Sequence, residues 1–321
     1  MKNNIFNYLI ITIIGYLIFR ILSLNKIIMQ YISLENIKYI PSEYISSYNF
    51  IYACDHHIEN PKSESTDVPI TYPISNGETI YINTTAIPNF VKNYLPNIKY
   101  KFVLVSGDTD KTIPNDYKLD TEIILNHELL IKWYAQNSIL ITDKLVQLPI
   151  GLDLHTLTKI PLWGDMKSVA DQMEDINTIK SININKQNKC YGNFHLNYAS
   201  AKFGYDRKNA YDKIPIELMY YESQKVPRID SWKKMIEYKY VISPLGNGLD
   251  CHRTWEAIIL GCIPIVKKSK LDSMYEGLPV LIVNDWSDIN QDMLDKYNPD
   301  YTKIEKIYMT YWKNLFNKYK N

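Results

Sequence analysis

Residues 240–286 read YVISPLGNGLDCHRTWEAIILGCIPIVKKSKLDSMYEGLPVLIVNDW, and their reading decides the fold. Tyr240 to Ser243 is a short apolar run, which Pro244, Gly246 and Gly248 break into a tight loop where backbone amides can approach a ligand. A helix follows. No proline or glycine interrupts Asp250 to Leu260. Asp250 suits the first turn or cap, Trp255, Ile258 and Ile259 supply an apolar face, and Gly261 fits the position just past the end. Cys262–Val266 and Val280–Val283 are near-continuous apolar runs of strand length. Such runs, alternating with helix, predict an α/β protein whose parallel sheet is covered on both faces. Ligands of such sheets bind beyond the carboxyl ends of the strands, where glycine loops meet helix N-termini that favour anions.

Arg253 and Glu256 are three apart, so they share a face in the first turns of this helix, on the ligand side of the sheet. An arginine there can fork onto a diphosphate, and a glutamate one turn later can accept hydrogen bonds from ribose hydroxyls. The plainer alternative is an ion pair within the helix on a solvated face. The loop before it contains no Gly-Lys-Ser/Thr and no G-x-G-x-x-G, so it is neither a P-loop nor a dinucleotide fingerprint.

The run SPLGNGLDCHRTWEAIILGCIPIV from Ser243, followed by LPVLIVNDW from Leu278, resembles the C-terminal half of the exostosin-like glycosyltransferases. Arg and Glu spaced as R-x-x-E, then Gly-Cys-Ile-Pro, then Leu-Pro-Val and Asp-Trp follow in order. The likeness is strong over Asp206 to Trp286, weaker over Phe102 to Leu157, and absent before Asn49. It implies a GT-B architecture, two Rossmann-like domains facing a cleft, with a nucleoside diphosphate sugar, foremost a UDP-sugar, held by the second. On that resemblance Arg253 holds the donor diphosphate and Glu256 the ribose. Arg207, in the Asp206-Arg207 pair, lies near the donor pocket as a second phosphate ligand, the alternative being a surface helix arginine. Ser243, Gly246, Asn247, Gly248 and Asp250 complete the expected donor site.

A chain of 321 residues has room for one or two domains with a buried core. With 46% hydrophobic and 22% charged residues it has a globular composition, not a disordered one. A net charge of +1 supplies no basic field, which argues against nucleic acid as the main partner. Ile5–Leu24, IFNYLIITIIGYLIFRILSL, is apolar except for Asn7, Thr12, Arg20 and Ser23, and its length matches a bilayer core. No small-x-small cleavage site follows, so an uncleaved N-terminal membrane anchor is expected over residues 1–26. Lys2 lies on one side of it and Arg20 and Lys26 on the other, which leaves the orientation open. Under the resemblance the catalytic part faces the ER or Golgi lumen of a eukaryotic host. Residues 27–48 read as a stem, 49–185 as a first Rossmann-like acceptor domain, and 186–298 as the nucleotide-sugar domain. Residues 299–321 form a last helix whose apolar stripe, Ile304 to Phe316, packs back on the first domain.

Within the first half, Asn49–Cys54, Glu78–Asn83, Lys101–Ser106, Ile139–Thr142 and Val146–Ile150 are expected strands, and His127–Gln136 and Asp165–Ser181 expected helices. Asp108 and Asp110 follow the clearest strand as D-x-D, a spacing that can hold a divalent metal on a diphosphate. That would be a manganese-dependent GT-A type transferase. Against it, Asp and Asn populate loops generally, and Arg253 already offers a cation. Asp108 can instead face the acceptor as a base. Asp153 and His155, in a second post-strand loop, are further candidate general bases, or else a turn carboxylate and a loop histidine.

Cys54, Cys190, Cys251 and Cys262 contain no C-x-x-C pair, so sulfur ligation of a metal is not expected and buried thiols are. G-x-S-x-G and H-E-x-x-H are both missing, which removes the usual hydrolase and zinc-protease readings. The expected function is therefore transfer of a sugar from a nucleotide-sugar co-substrate to a glycan or glycoprotein acceptor, with inversion implied by the resemblance. No cofactor is required unless Mn2+ enters through Asp108 and Asp110. A glycan-binding protein without turnover is the rival outside catalysis.

Overall fold

The computed structural model describes residues 12–25, 39–196 and 202–320 of the chain. Two parallel sheets carry the architecture. The first holds β1 (Glu78–Asn83), β2 (Phe102–Gly107), β3 (Leu130–Gln136) and β4 (Leu145–Leu148), side by side in that order. The second holds β5 (Gln187–Gly192), β6 (Met219–Tyr221), β7 (Tyr238–Ile242), β8 (Ile263–Lys267) and β9 (Leu281–Val283), in the spatial order β6-β5-β7-β8-β9. Within this half the order is 2-1-3-4-5, a common doubly wound arrangement whose direction reverses between β5 and β7. The first helix of the chain is α1 (residues 12–25), and around the sheets lie α2 (Ser47–Ile51), α3 (Ile87–Asn89), α4 (Lys118–Asn126), α5 (Thr156–Lys159) and α6 (Val169–Lys180). After them come α7 (Tyr205–Lys213), α8 (Arg228–Met235), α9 (His252–Ile259), α10 (Gln291–Lys296) and α11 (Met309–Asn317).

Strand alternation sorts the core into three parts. Phe102 and Leu104 of β2 face one way, with Ile80, Ile82, Trp133 and Ala135, under the outer helices of the first sheet. Tyr240 and Ile242 of β7 face the outer side of the second sheet, with Cys190, Ile263 and Ile265. The intervening residues, Val103 and Val105 on β2 and Val241 on β7, belong to one shared apolar cluster that also takes in Trp255, Trp312 and Phe316. The two halves are thus joined by a common core, although the chain crosses between them in the loop after α6. From the far end of the chain, α11 reaches the first sheet, with Trp312 5.7 Å from Phe50 and Phe316 5.0 Å from Tyr134.

Four expectations need correction. Residues 130–136 form β3 rather than a helix, because Trp133 and Ala135 fill one core while Tyr134 fills the other, a period of two. The preceding helix is α4, which ends at Asn126. Asn49–Cys54 is no strand: Ser46 accepts from the Asn49 amide and caps α2, whose five residues are all buried. Ile139–Thr142 is irregular, because it lies within the short crossover that returns the chain from β3 to the start of parallel β4. The end of the expected stem is core: Tyr44 and Ile45 are buried, and the Leu152 amide donates to the Ile45 carbonyl at 2.8 Å. Residues 27–38 of the stem, and residues 1–11 and 26 of the expected anchor, lie outside the described residues. Among the described residues no helix is long and apolar enough to cross a membrane. α1 is the described part of that segment, and its apolar side chains stand exposed, Phe19 at 65% and Leu22 at 62%.

Candidate functional site

The loop between β7 and α9 lies at the reversal of strand order, and the Asp206-Arg207 pair brackets it. The Leu245 amide donates to Asp206 Oδ2 at 3.0 Å, and Arg207 Nε donates to the Leu245 carbonyl at 3.2 Å. Asp206 is itself buried and also accepts from Trp286 Nε1 at 2.9 Å, so the Asp-Trp landmark of β9's exit clamps the same loop. Close approach explains both glycines. A Cβ on Gly246 would come within 3.0 Å of Arg207 Nη2, and one on Gly248 within 2.9 Å of Asn137 Nδ2 and 3.2 Å of Asp110 Oδ1. Gly248 is therefore where the first half of the chain presses on the loop of the second.

A cavity of about 630 Å3 opens over this loop, lined by Arg207, Gly246, Asn247, Gly248, Arg253 and Glu256 among others. Arg253 and Glu256 do not pair with each other. Arg253 Nε donates to Asn193 Oδ1, at the carboxyl end of β5, at 2.6 Å, while its buried Nη1 finds no partner. Burial lowers the guanidinium from its ordinary value. Glu256 instead faces Arg228 Nε at 4.0 Å. Two of the expected donor residues also bond within the fold. Ser243 is buried and bonds Thr254 Oγ1 at 2.8 Å. Asp250 does not cap α9, whose cap residue is Cys251. Its carboxylate accepts from the Ile150 amide at 2.8 Å, from the Cys251 amide and from Trp255 Nε1, and so ties the two halves together. Burial pushes its pKa up to about 6. All four cysteines are free, three of them buried and Cys251 half-buried.

Across the cleft, the loops after β2 and β4 bring together Asp108, Asp153 and His155. Asp108, at φ 58, accepts from Asn83 Nδ2 at 3.2 Å, and burial raises it to about 6. Its Oδ1 stays 4.0 Å from His155 Nε2, beyond hydrogen-bonding range. Asp110 turns elsewhere, toward Asn247 and Gly248, and burial raises its carboxyl as well. The two carboxylates of the D-x-D thus have separate partners, and no group of three or more metal-ligating side chains converges among the described residues. Asp153 is buried beside His155 Nδ1 at 3.2 Å and Arg228 Nη2 at 3.6 Å. Burial alone would raise its carboxyl, but His155, His252 and Arg228 outweigh that and hold it well below the usual range. The His155 ring stacks on Tyr48 at 4.4 Å, and burial keeps its imidazole low.

Three cleft residues are not in the sequence-based set. Asn193 orients Arg253. Arg228, 9% exposed, stacks on Trp163 at 4.4 Å and binds Gln172 Oε1 at 3.2 Å and the Asp153 carbonyl. His252 lies beside Arg253 and bonds the Gly151 carbonyl. Asn193 directly follows β5, at the strand end where ligands of such sheets bind, whereas Arg228 opens α8 behind Pro227 with no motif to mark it. No protein-family model matches the chain, and no curated protein matches it.

Proposed function

We propose that the protein is a glycosyltransferase of GT-B type that moves a sugar from a nucleoside diphosphate donor, foremost a UDP-sugar, to a hydroxyl of a glycan or glycoprotein. The observation that carries this reading is the convergence of Arg207 and Arg253 on the Gly246–Gly248 loop, at the strand reversal, within a cavity walled by carboxylates. Two guanidiniums beside a glycine loop and a helix start fit a diphosphate, and stabilising that leaving group is the main electrostatic demand of glycosyl transfer. Glu256, one turn farther along, accepts from the donor ribose. The opposite wall takes the acceptor, whose hydroxyl must lose a proton as it attacks, and direct attack inverts the anomeric centre. Exposed apolar α1 supports an N-terminal membrane anchor for the same enzyme.

Melting the full chain with UDP, GDP, CMP and their sugar conjugates, with and without Mn2+, tests this. A nucleotide at 100 times its Kd adds about 2.7 kcal/mol of stability. A shift with one nucleotide and no metal is expected. A shift that needs Mn2+ would move the diphosphate to Asp108 and Asp110, and no shift with any nucleotide overturns the donor reading.

A further inference from the structure

We propose that His252, through Nε2, is the general base that takes the proton of the acceptor hydroxyl, an assignment that rests on the donor reading above. Its geometry distinguishes it from the other candidates. His252 Nδ1 lies 2.7 Å from the Gly151 carbonyl oxygen. A carbonyl only accepts, so Nδ1 carries the hydrogen and the neutral ring keeps its lone pair on Nε2. No hydrogen bond reaches Nε2 among the described residues, and His252 lines the cavity next to Arg253. The bond to Gly151 comes from the loop after β4, so the ring is fixed by the first half of the chain while it belongs to the helix of the second.

The rival bases are engaged. Asp153 is buried against Arg228 and accepts from the Thr156 amide at 3.0 Å. His155 is stacked on Tyr48 with Nε2 4.0 Å from Asp108, and it does not line the cavity. Asp108 is buried, accepts from Asn83, and does not line the cavity. Around the His252 ring the charged groups are Asp108 and Asp110 from the loop after β2, Asp153 and His155 from the loop after β4, and Asp250 and Arg253 on its own segment.

The step balances as follows. The acceptor oxygen bonds to the anomeric carbon as its proton passes to Nε2; the bond from that carbon to the donor phosphate oxygen breaks, and its electron pair leaves on the diphosphate held by Arg207 and Arg253. The imidazolium then releases its proton to water.

His252→Asn separates this role from a structural one, because the asparagine Nδ2 can replace the Nδ1–H bond to Gly151 but brings no base. UDP affinity of the full chain is measured first, and then the release of UDP from UDP-sugars by wild type and variant. The expected result is UDP affinity within threefold of wild type, release slowed at least about 100-fold, and partial recovery with added imidazole. Release within threefold of wild type would overturn the assignment. Loss of UDP binding by wild type itself would instead overturn the donor reading.

Discussion

Replacing Arg253 by methionine keeps much of the aliphatic stem and removes the charged, hydrogen-bonding end, and the structure sets what each change does. Arg253 makes one hydrogen bond, to Asn193, and its buried Nη1 is unpaired. Under the proposed donor role, a ligand phosphate supplies that missing partner. Losing charge-assisted hydrogen bonds costs about 1.5–3 kcal/mol, so the Kd for UDP should rise about tenfold to 150-fold. Without ligand the outcome differs. The bond to Asn193 is lost, but so is the cost of holding an underpaired guanidinium away from water, and the two offset to within about 1 kcal/mol. Calorimetric titration with UDP and urea unfolding without it measure both quantities. A folded methionine variant with unchanged UDP affinity would refute the reasoning, and so would a variant that loses several kcal/mol of stability in the absence of nucleotide.

Arg228→Met should instead destabilise the protein by about 3 kcal/mol, because it leaves the buried Asp153 carboxylate without its guanidinium; urea unfolding reads this directly. Asp153 has its folded pKa depressed, so its contribution is present above the unfolded value near 4 and is lost as pH falls below it. The cost of Asp153→Asn should therefore be larger at pH 7 than at pH 3. Asp108 and Asp250 have the opposite sign: both are raised to about 6, so each contributes stability that is full below about pH 4 and is lost as pH rises through 6. Between pH 7.5 and pH 5 each should add about 1.4 kcal/mol, and Asp108→Asn should remove its share of that slope in denaturation measured at the two pH values. Gly151→Ala should cost about 3 kcal/mol, because φ there is +67 and the new Cβ would lie 2.4 Å from the Ile45 carbonyl oxygen; a thermal melt near the wild-type value would show that the close approach is not present in solution.

What could be read from the chain and what could not divides along one physical line. β2, β7, β8, β9 and α9 are specified locally, by apolar runs, a glycine loop and a stop glycine, and they appear within a few residues of where those signals put them. The expectation failed where a residue's partner is distant in sequence. His127–Gln136 reads as a helix until the two cores on either side of β3 exist to receive Trp133 and Tyr134. Asp250 reads as a cap because Asp commonly caps, but its amide and carboxylate are claimed by Asn137 and Ile150, a hundred residues or more upstream. The same holds for the site. R-x-x-E marks a helix that lines the cavity, yet the ion pair that spacing allows does not form, because β5 presents Asn193 to Arg253 and α8 presents Arg228 to Glu256. That exchange of partners gives the pattern its chemistry: an Arg253 spent on Glu256 would be a satisfied surface pair, whereas an Arg253 held by one neutral amide keeps a donor in reserve for an anion.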